Sequence, residues 1–202
     1  QLTAAQITES GATIYGAGAV EITGTLTDNA TLVEIEAADL DLSGMVGLSV
    51  NSDGDLSAGG FALTLPLLAA DQTLILDASQ LVDDDATASS IEALSVEGSG
   101  TVTVTGDISV GETVDLTSLD PDLTLSFADA GDGGTPTIDV PAGATLILTP
   151  EQASGKVITG LGTVRLTGTI AAAEAEVVTP DSVTTSVSSP DGEGVTNILD
   201  GD

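Results

Sequence analysis

The sequence predicts an all-β protein whose short strands stack as the coils of a parallel β-solenoid. Three observations predict it: segments in which apolar and polar residues alternate, a pair of sequence elements that recurs three times, and an apolar composition almost without aromatic rings. Alternation with a period of two is typical of half-buried strands, and a strand-and-turn unit that recurs is typical of repeat architectures. Tandem β-sandwich domains of the immunoglobulin-like kind are the alternative that these observations leave open.

Two elements recur in the same order. The first reads LTAAQ, LDASQ and LTPEQ at 2–6, 76–80 and 148–152, and the second reads IYGAGAVEITG, VEGSGTVTVTG and ITGLGTVRLTG at 14–24, 96–106 and 158–168. The period is about 73 residues, which is short for a sandwich and divides naturally into three coils. We therefore expect one elongated array over 1–202, with approximate repeats 2–75, 76–147 and 148–202.

The strands are predicted from alternation and from the turns that separate them. In AVEIT, TVTVT and TVRLT, at 19–23, 101–105 and 163–167, the valines and their second apolar neighbours face one side, and Glu21, Thr103 and Arg165 face the other. Further strands are predicted at 31–36, 39–43, 47–51, 62–66, 113–117, 123–127, 135–140 and 145–149. Gly, Asp, Asn, Ser and Pro fill the turns between them. A short helix or a final strand is predicted at 171–178.

The apolar composition favours the solenoid over the sandwich. Hydrophobic residues make up 41% of the chain, yet Tyr15, Phe61 and Phe127 are its only aromatic residues. A core of Val, Leu, Ile and Ala suits the narrow interior of stacked strands, whereas sandwiches usually carry a large aromatic anchor. The paired glycines suit tight corners. The unequal spacing between the two recurring elements fits a sandwich more easily.

The charge excludes several partners. The chain has 32 acidic residues against Lys156 and Arg165, a net charge of −30. Nucleic acid and anionic membranes attract basic surfaces, so neither is expected as a partner. No apolar run is long enough to span a bilayer, and we expect no membrane insertion. Self-repulsion must be offset by divalent cations, by salt or by an elongated shape. The start at Gln1 without a signal peptide suggests a processed product or part of a longer secreted chain.

Enzymatic chemistry is not expected. Histidine and cysteine are absent, which removes Ser-His and Cys-His nucleophile systems, disulfides and thiolate metal sites. A carboxylate pair could cleave glycosides, but three aromatic residues cannot build the usual sugar platforms. The Gly-x-Gly elements precede strands, and Glu21 stands where a dinucleotide fingerprint requires its third glycine.

Acidic turns are the candidate metal sites. Carboxylate oxygens at flexible turns are the ligands that Ca²⁺ prefers, although Asp and Gly also form turns without any metal. The turn NSDGDLSAGG at 51–60 has acids at alternate positions but lacks the EF-hand glycine and glutamate positions. The candidate calcium ligands are Asp53, Asp55, Asp83, Asp84, Asp85, Asp120, Asp122, Asp129 and Asp132.

The phrasing LTAAQ followed by G-x-G-x-V-x-L-T-G resembles the repeat regions of very large, acidic bacterial surface proteins: calcium-dependent adhesins, RTX-type secreted proteins and S-layer subunits. The resemblance is one of general repeat pattern and extends over most of the chain. The RTX nonapeptide is absent, and no site residue can be transferred from these proteins to this chain. It implies an extracellular or cell-surface location and calcium as a cofactor.

These observations lead to three functional expectations. The first is an extracellular structural protein that assembles with itself into a fibre, sheath or surface layer, assisted by Ca²⁺. Its edges would pair with those of a neighbouring copy. The second is the repeat stalk of a large adhesin, and the third is a glycan- or ice-binding module that uses outward threonines.

Overall fold

The structure, a computed structural model, describes residues 1–8, 12–35, 39–82, 93–128, 137–168 and 184–188. Within these residues it is dominated by short strands, which confirms the all-β class. The predicted segment at 171–178 lies outside the described residues. The strands are β1 (Leu2–Thr3), β2 (Ala12–Ile14), β3 (Ala19–Thr23), β4 (Ala30–Ile35), β5 (Asp39–Asp41), β6 (Leu48–Val50), β7 (Leu56–Ala58), β8 (Phe61–Thr64), β9 (Thr73–Asp77), β10 (Thr101–Thr105), β11 (Thr113–Asp115), β12 (Thr124–Ala128), β13 (Thr137–Asp139), β14 (Thr145–Leu148), β15 (Val157–Thr159), β16 (Thr163–Thr167) and β17 (Thr184–Ser188).

Most strands pair in parallel. A six-stranded sheet has the order β1-β3-β5-β9-β10-β12, and a four-stranded sheet has the order β11-β14-β16-β17. Every pairing in these two sheets is parallel. Strands β13 and β15 form a parallel pair, and a five-stranded sheet has the order β2-β4-β8-β7-β6. Only the pairings of β7 with β6 and β8 are antiparallel among the described strands.

The core consists of straight columns of aliphatic side chains. Along the six-stranded sheet, register partners stack as Val20, Leu40, Leu74, Val102 and Leu125. A neighbouring column contains Leu76, Val104 and Phe127. All of these except the half-buried Val20 are at most 4% exposed. Because side chains alternate across a strand, the residues between them lie on the opposite face of the sheet, where polar types prevail.

The alternating pattern predicts the positions of the strands well, but it does not predict the short helical turns. The segments 19–23, 101–105 and 163–167 form β3, β10 and β16 as predicted. The element LTAAQ/LDASQ/LTPEQ instead passes from a strand into one helical turn: α1 (Ala4–Ile7), a 3₁₀ turn at Ala78–Gln80, and α2 (Pro150–Ala153). The signal was present, because Thr or Asp followed three residues later by Gln is a capping box.

The second Gly-x-Gly element lets one turn lie directly on another. The N–H of Thr101 donates to the carbonyl of Gln72 at 2.9 Å, which holds the start of β10 against the turn that precedes β9. A Cβ at Gly100 would lie 2.6 Å from the carbonyl oxygens of Ala69 and Gln72. The third copy repeats this, since a Cβ at Gly162 would lie 2.5 Å from the carbonyl oxygen of Pro141. Glycine is therefore required by backbone contact in these two copies.

The first copy differs. A Cβ at Gly18, which aligns with Gly100 and Gly162, would meet nothing within 4 Å. The same holds for Gly16, which aligns with Gly98. In the second and third copies the atoms that meet these glycines belong to 68–72 and 140–144, just before the first recurring element, and the equivalent positions for the first copy would precede Gln1.

We expect Gly100→Ala to lower the free energy of unfolding by about 1–3 kcal/mol, the usual cost of forcing an atom into a packed site. Gly18→Ala is the matched control, and its effect should stay within about 0.5 kcal/mol because the site is open. Urea unfolding of both variants measures the difference. Equal losses at both positions would contradict the packing described for the second copy.

Candidate functional site

Each copy of the first element contains the same hydrogen bond at a strand end. The backbone N–H of the N-cap residue donates to the side-chain oxygen, Oε1, of the glutamine three residues later, at 2.8 Å in all three copies. The pairs are Thr3 with Gln6, Asp77 with Gln80, and Thr149 with Gln152. The bond fixes the glutamine side chain back over its own strand end, so its amide group points in a defined direction.

In the second and third copies that amide joins two neighbouring strands. The Nε2 of Gln80 donates to the carbonyl oxygens of Leu42 at 2.8 Å and Met45 at 3.0 Å. The Nε2 of Gln152 donates to the carbonyl oxygen of Leu116 at 2.6 Å. Gln80 is only 3% exposed. We call this interaction the inter-strand glutamine contact; it ties β9 to the end of β5 and β14 to the end of β11.

The acceptors belong to a third recurring element that the sequence analysis missed. It reads DLSGM at 41–45 and DLTSL at 115–119. In the first, Oδ1 of Asp41 accepts from the N–H and the hydroxyl of Ser43, at 3.0 and 2.6 Å. In the second, Oδ1 of Asp115 accepts from the N–H and the hydroxyl of Thr117, at 2.9 and 2.6 Å. The signal that could have found it is Asp followed two residues later by Ser or Thr, a local turn motif.

The first copy offers the same glutamine without an acceptor. Gln6 is exposed, and among the described residues its Nε2 makes no hydrogen bond. Strand β1 is an end strand of the six-stranded sheet. Tyr15, next to Gly16 in sequence, is 66% exposed.

The candidate calcium residues near position 53 have a role that needs no metal. The side-chain oxygen of Asn51 accepts from the N–H groups of Asp53 and Asp55, at 2.9 and 3.0 Å. The Asn51 N–H donates to the carbonyl of Asp55 at 2.9 Å. These bonds account for the alternate spacing of Asn51, Asp53 and Asp55, and both aspartates are exposed.

The second pair of described candidates also takes part in a turn. Oδ1 of Asp120 accepts from the N–H of Asp122 at 2.9 Å, and Oδ2 accepts from the N–H of Gly98 at 3.5 Å. Candidates Asp83, Asp84, Asp85, Asp129 and Asp132 lie outside the described residues. Within the part of the chain that the structure describes, no three carboxylates come together as metal ligands. Calcium binding stays a prediction.

Outward threonines form short columns. Thr73, Thr101 and Thr124 are register partners on β9, β10 and β12, and Thr103 lies beside Ser126. The column reaches Asp39 on β5, the next strand toward β1. Acidic residues therefore interrupt the threonine surface, and a glycan- or ice-binding role stays a prediction.

One of the two cations lies on a buried part of the four-stranded sheet. Arg165 pairs in register with Ile147, and its buried Nε has no hydrogen-bond partner among the residues that the structure describes. Ile147 is fully buried although it lies outside the main apolar cluster. Neither residue belongs to a cluster of acidic side chains among the described residues.

Comparisons with protein-family models, with curated proteins and with solved structures gave no significant match to this chain. Among the described residues, no helix has the length and apolar character needed to cross a membrane. The functional argument therefore depends on the repeated contacts between strands.

We expect Gln80→Met to lower the free energy of unfolding by about 1–3 kcal/mol, because buried carbonyl groups lose their donor while the side-chain length is kept. Gln6→Met is the matched control. It removes the same N-cap bond at an exposed site, so its effect should stay below about 1 kcal/mol.

Thermal or urea unfolding of dilute, monomeric protein measures both variants. If Gln6→Met were as damaging as Gln80→Met, the bond to the N-cap residue would carry the stability, and the contact to the neighbouring strand would contribute little.

Proposed function

We propose that this chain is a structural protein that assembles with itself, through stacked coils of a parallel β-solenoid, into a fibre, sheath or surface layer. The observation that carries the proposal is the recurrence of one strand-to-strand junction within the chain. The pairings of β5 with β9 and of β11 with β14 are both parallel, and both carry the inter-strand glutamine contact. In each, the aspartate of the third recurring element lies opposite the isoleucine that precedes the first recurring element.

The solenoid is supported by the way in which the chain returns to each sheet. Six strands add to one sheet in parallel, and their apolar side chains form continuous columns. A repeat array of this kind has no natural stopping point, because each unit contacts only its neighbours and leaves its outermost strand unpaired on one side. Among the described strands, β1 and β17 stand at the ends of their sheets. Free strand edges bind other strands unless they are covered.

Charge favours contact at the ends over contact at the sides. With a net charge of −30, two chains placed side by side repel each other over a large area. End-to-end contact involves only one strand and its turns from each copy. The resulting object would be long and thin, with carboxylates spread along its length. The acidity and the resemblance to large surface proteins support an extracellular or cell-surface location.

The runner-up is the stalk of a large adhesin, a passive spacer with the same architecture. The repeated junction supports both readings equally, since a spacer would contain the same stacked strands. The two functions differ in solution behaviour.

We expect the purified chain to form rods one molecule wide as its concentration rises. Sedimentation velocity across a concentration series should show a growing set of elongated species. Electron microscopy should show rods whose lengths are multiples of one unit. A stalk fragment would remain a single monomeric species at every concentration, and this result would reject self-assembly.

We expect Ca²⁺ to raise the melting temperature and to promote assembly more than Na⁺ does at equal ionic strength. Bound divalent ions would relieve repulsion beyond simple screening. The test compares CaCl₂, NaCl and chelator. The variant Asp53→Asn with Asp55→Asn and the variant Asp120→Asn with Asp122→Asn report on the two described candidate turns. Identical responses to the two salts would show that screening alone acts and that calcium is not a cofactor.

A further inference from the structure

Three turns stack on one another at the corner that leads into the four-stranded sheet. They precede β11, β14 and β16 and comprise residues 109–112, 141–144 and 160–162. The N–H of Thr145 donates to the carbonyl of Glu112, and the N–H of Thr163 donates to the carbonyl of Ala144, both at 2.9 Å. Each turn is therefore held directly on the one before it.

The outermost side chains of these turns are apolar and exposed. Val110 is 73% exposed and Leu161 is 69% exposed, and Ala142 on the middle turn is exposed as well. A Cβ at Gly143 would lie 4.0 Å from Cγ1 of Val110, so the middle turn lies against the side chain of the first. We call Val110, Ala142 and Leu161 the apolar ridge. Its members repeat at the spacing of stacked strands, about 4.8 Å.

The corner that leads into the six-stranded sheet is built in the same way but is acidic. Its turns comprise residues 69–72, 98–100 and 120–123, and they stack through the same type of backbone hydrogen bond. At the third position of its four-residue turns this corner has Asp71 and Asp122, whereas the ridge corner has Gly111 and Gly143. One molecule thus contains an acidic and an apolar version of the same stacked corner.

We propose that the apolar ridge is the lateral contact through which two rods of this protein pair, ridge against ridge. The inference rests on the proposed self-assembly and specifies how rods associate into a sheath or a layer. Whether the two rods run in the same or in opposite directions, Ala142 of the middle turn faces Ala142 of the neighbouring copy. Val110 and Leu161 lie on either side of this central contact.

Charge selects the ridge as the place where two copies approach. Each chain has a net charge of −30, so most of its side surface repels a second copy. Among the residues of the three ridge turns only Glu112 is charged. Like charges across an interface cost several kcal/mol, and contact between two ridges avoids most of this cost. Exposed apolar groups within a polar surface are typical of such contact sites.

The spacing and the small size of the ridge also fit a second rod. A second copy presents the same row of side chains at the same spacing, so the two rows can interdigitate. Three side chains from each copy bury far less than the roughly 1,200 Å² that a stable protein pair needs. Single molecules should therefore stay apart, whereas rods should pair because the contact repeats along their length.

Ionic strength tests the contact in the unmodified chain. At about 1 M NaCl the Debye length falls to about 3 Å, so the repulsion between acidic sides is screened while apolar contact persists. We expect electron microscopy to show single rods at low salt and paired or bundled rods at high salt. Light scattering across a concentration series gives the protein concentration at which pairing begins.

Substitution tests which surface is used. Val110→Ser with Leu161→Ser should raise the concentration needed for pairing at least about tenfold and leave single rods intact. The matched control is Val46→Ser with Leu67→Ser, which removes apolar side chains that are 64% and 68% exposed but lie outside the ridge. We expect the control to change that concentration less than about threefold. Circular dichroism checks that both variants remain folded.

A single cysteine locates the contact, since the chain has none of its own. Ala142→Cys would place two thiols opposite each other, and oxidation of paired rods should link copies into disulfide dimers. Ala70→Cys is the control, because Ala70 has the same turn position in the acidic corner. It should give at least about fivefold less dimer.

The outcomes separate the lateral contact from the assembly of rods. Rods that stay single at high salt would overturn the ridge contact while the proposed self-assembly stands. Pairing that persists in the Val110→Ser and Leu161→Ser variant, or equal cross-linking through Ala70→Cys, would mean that rods pair through another surface. A monomer under all conditions would overturn both the ridge contact and the proposed function.

Discussion

Backbone hydrogen bonding between parallel strands in register is the interaction on which this structure depends. Each strand of the six-stranded sheet is only two to five residues long and could not persist alone. The peptide groups of the inner strands are satisfied by the strands on either side, and their aliphatic side chains are buried because the next strand continues the same column. Stability is therefore shared between neighbours, and an end strand is incomplete by construction.

Apolar columns alone cannot set the register of such a stack. A slip of one residue would turn the core outward, so it is strongly disfavoured. A slip of two residues keeps every valine and leucine facing inward and costs much less. The inter-strand glutamine contact distinguishes these alternatives, because Nε2 of Gln80 reaches the Leu42 carbonyl only in the observed register. One buried amide thus supplies the directional specificity that the aliphatic columns lack.

Much of the fold could be predicted from the sequence because strand alternation is a local property. The segments around Val20, Val102 and Val164 alternate cleanly, and all of them form strands. The glutamine contact could not be predicted in the same way. Its donor and acceptor lie 38 residues apart in the case of Gln80 and Leu42, and nothing local indicates that they meet. The recurrence of Asp-Leu-Ser and Asp-Leu-Thr was visible, but its meaning depends on which strand lies beside it. The acidic turns have two explanations at the sequence level, because hydrogen bonds from the N–H groups of Asp53 and Asp55 to Asn51 account for their spacing with or without a metal.

The separation between contacting strands has a kinetic consequence. Each new strand docks on one that left the growing chain a few dozen residues earlier, and the longest such hydrogen bond described spans 38 residues. Closing loops of this size carries a modest entropic cost that depends on the separation of the two strands and not on the total length of the chain. A polypeptide that emerges gradually from a narrow exit could therefore fold progressively from its N-terminal end, each docking step hindering backward movement. Longer arrays of the same repeat would fold at a similar pace per unit.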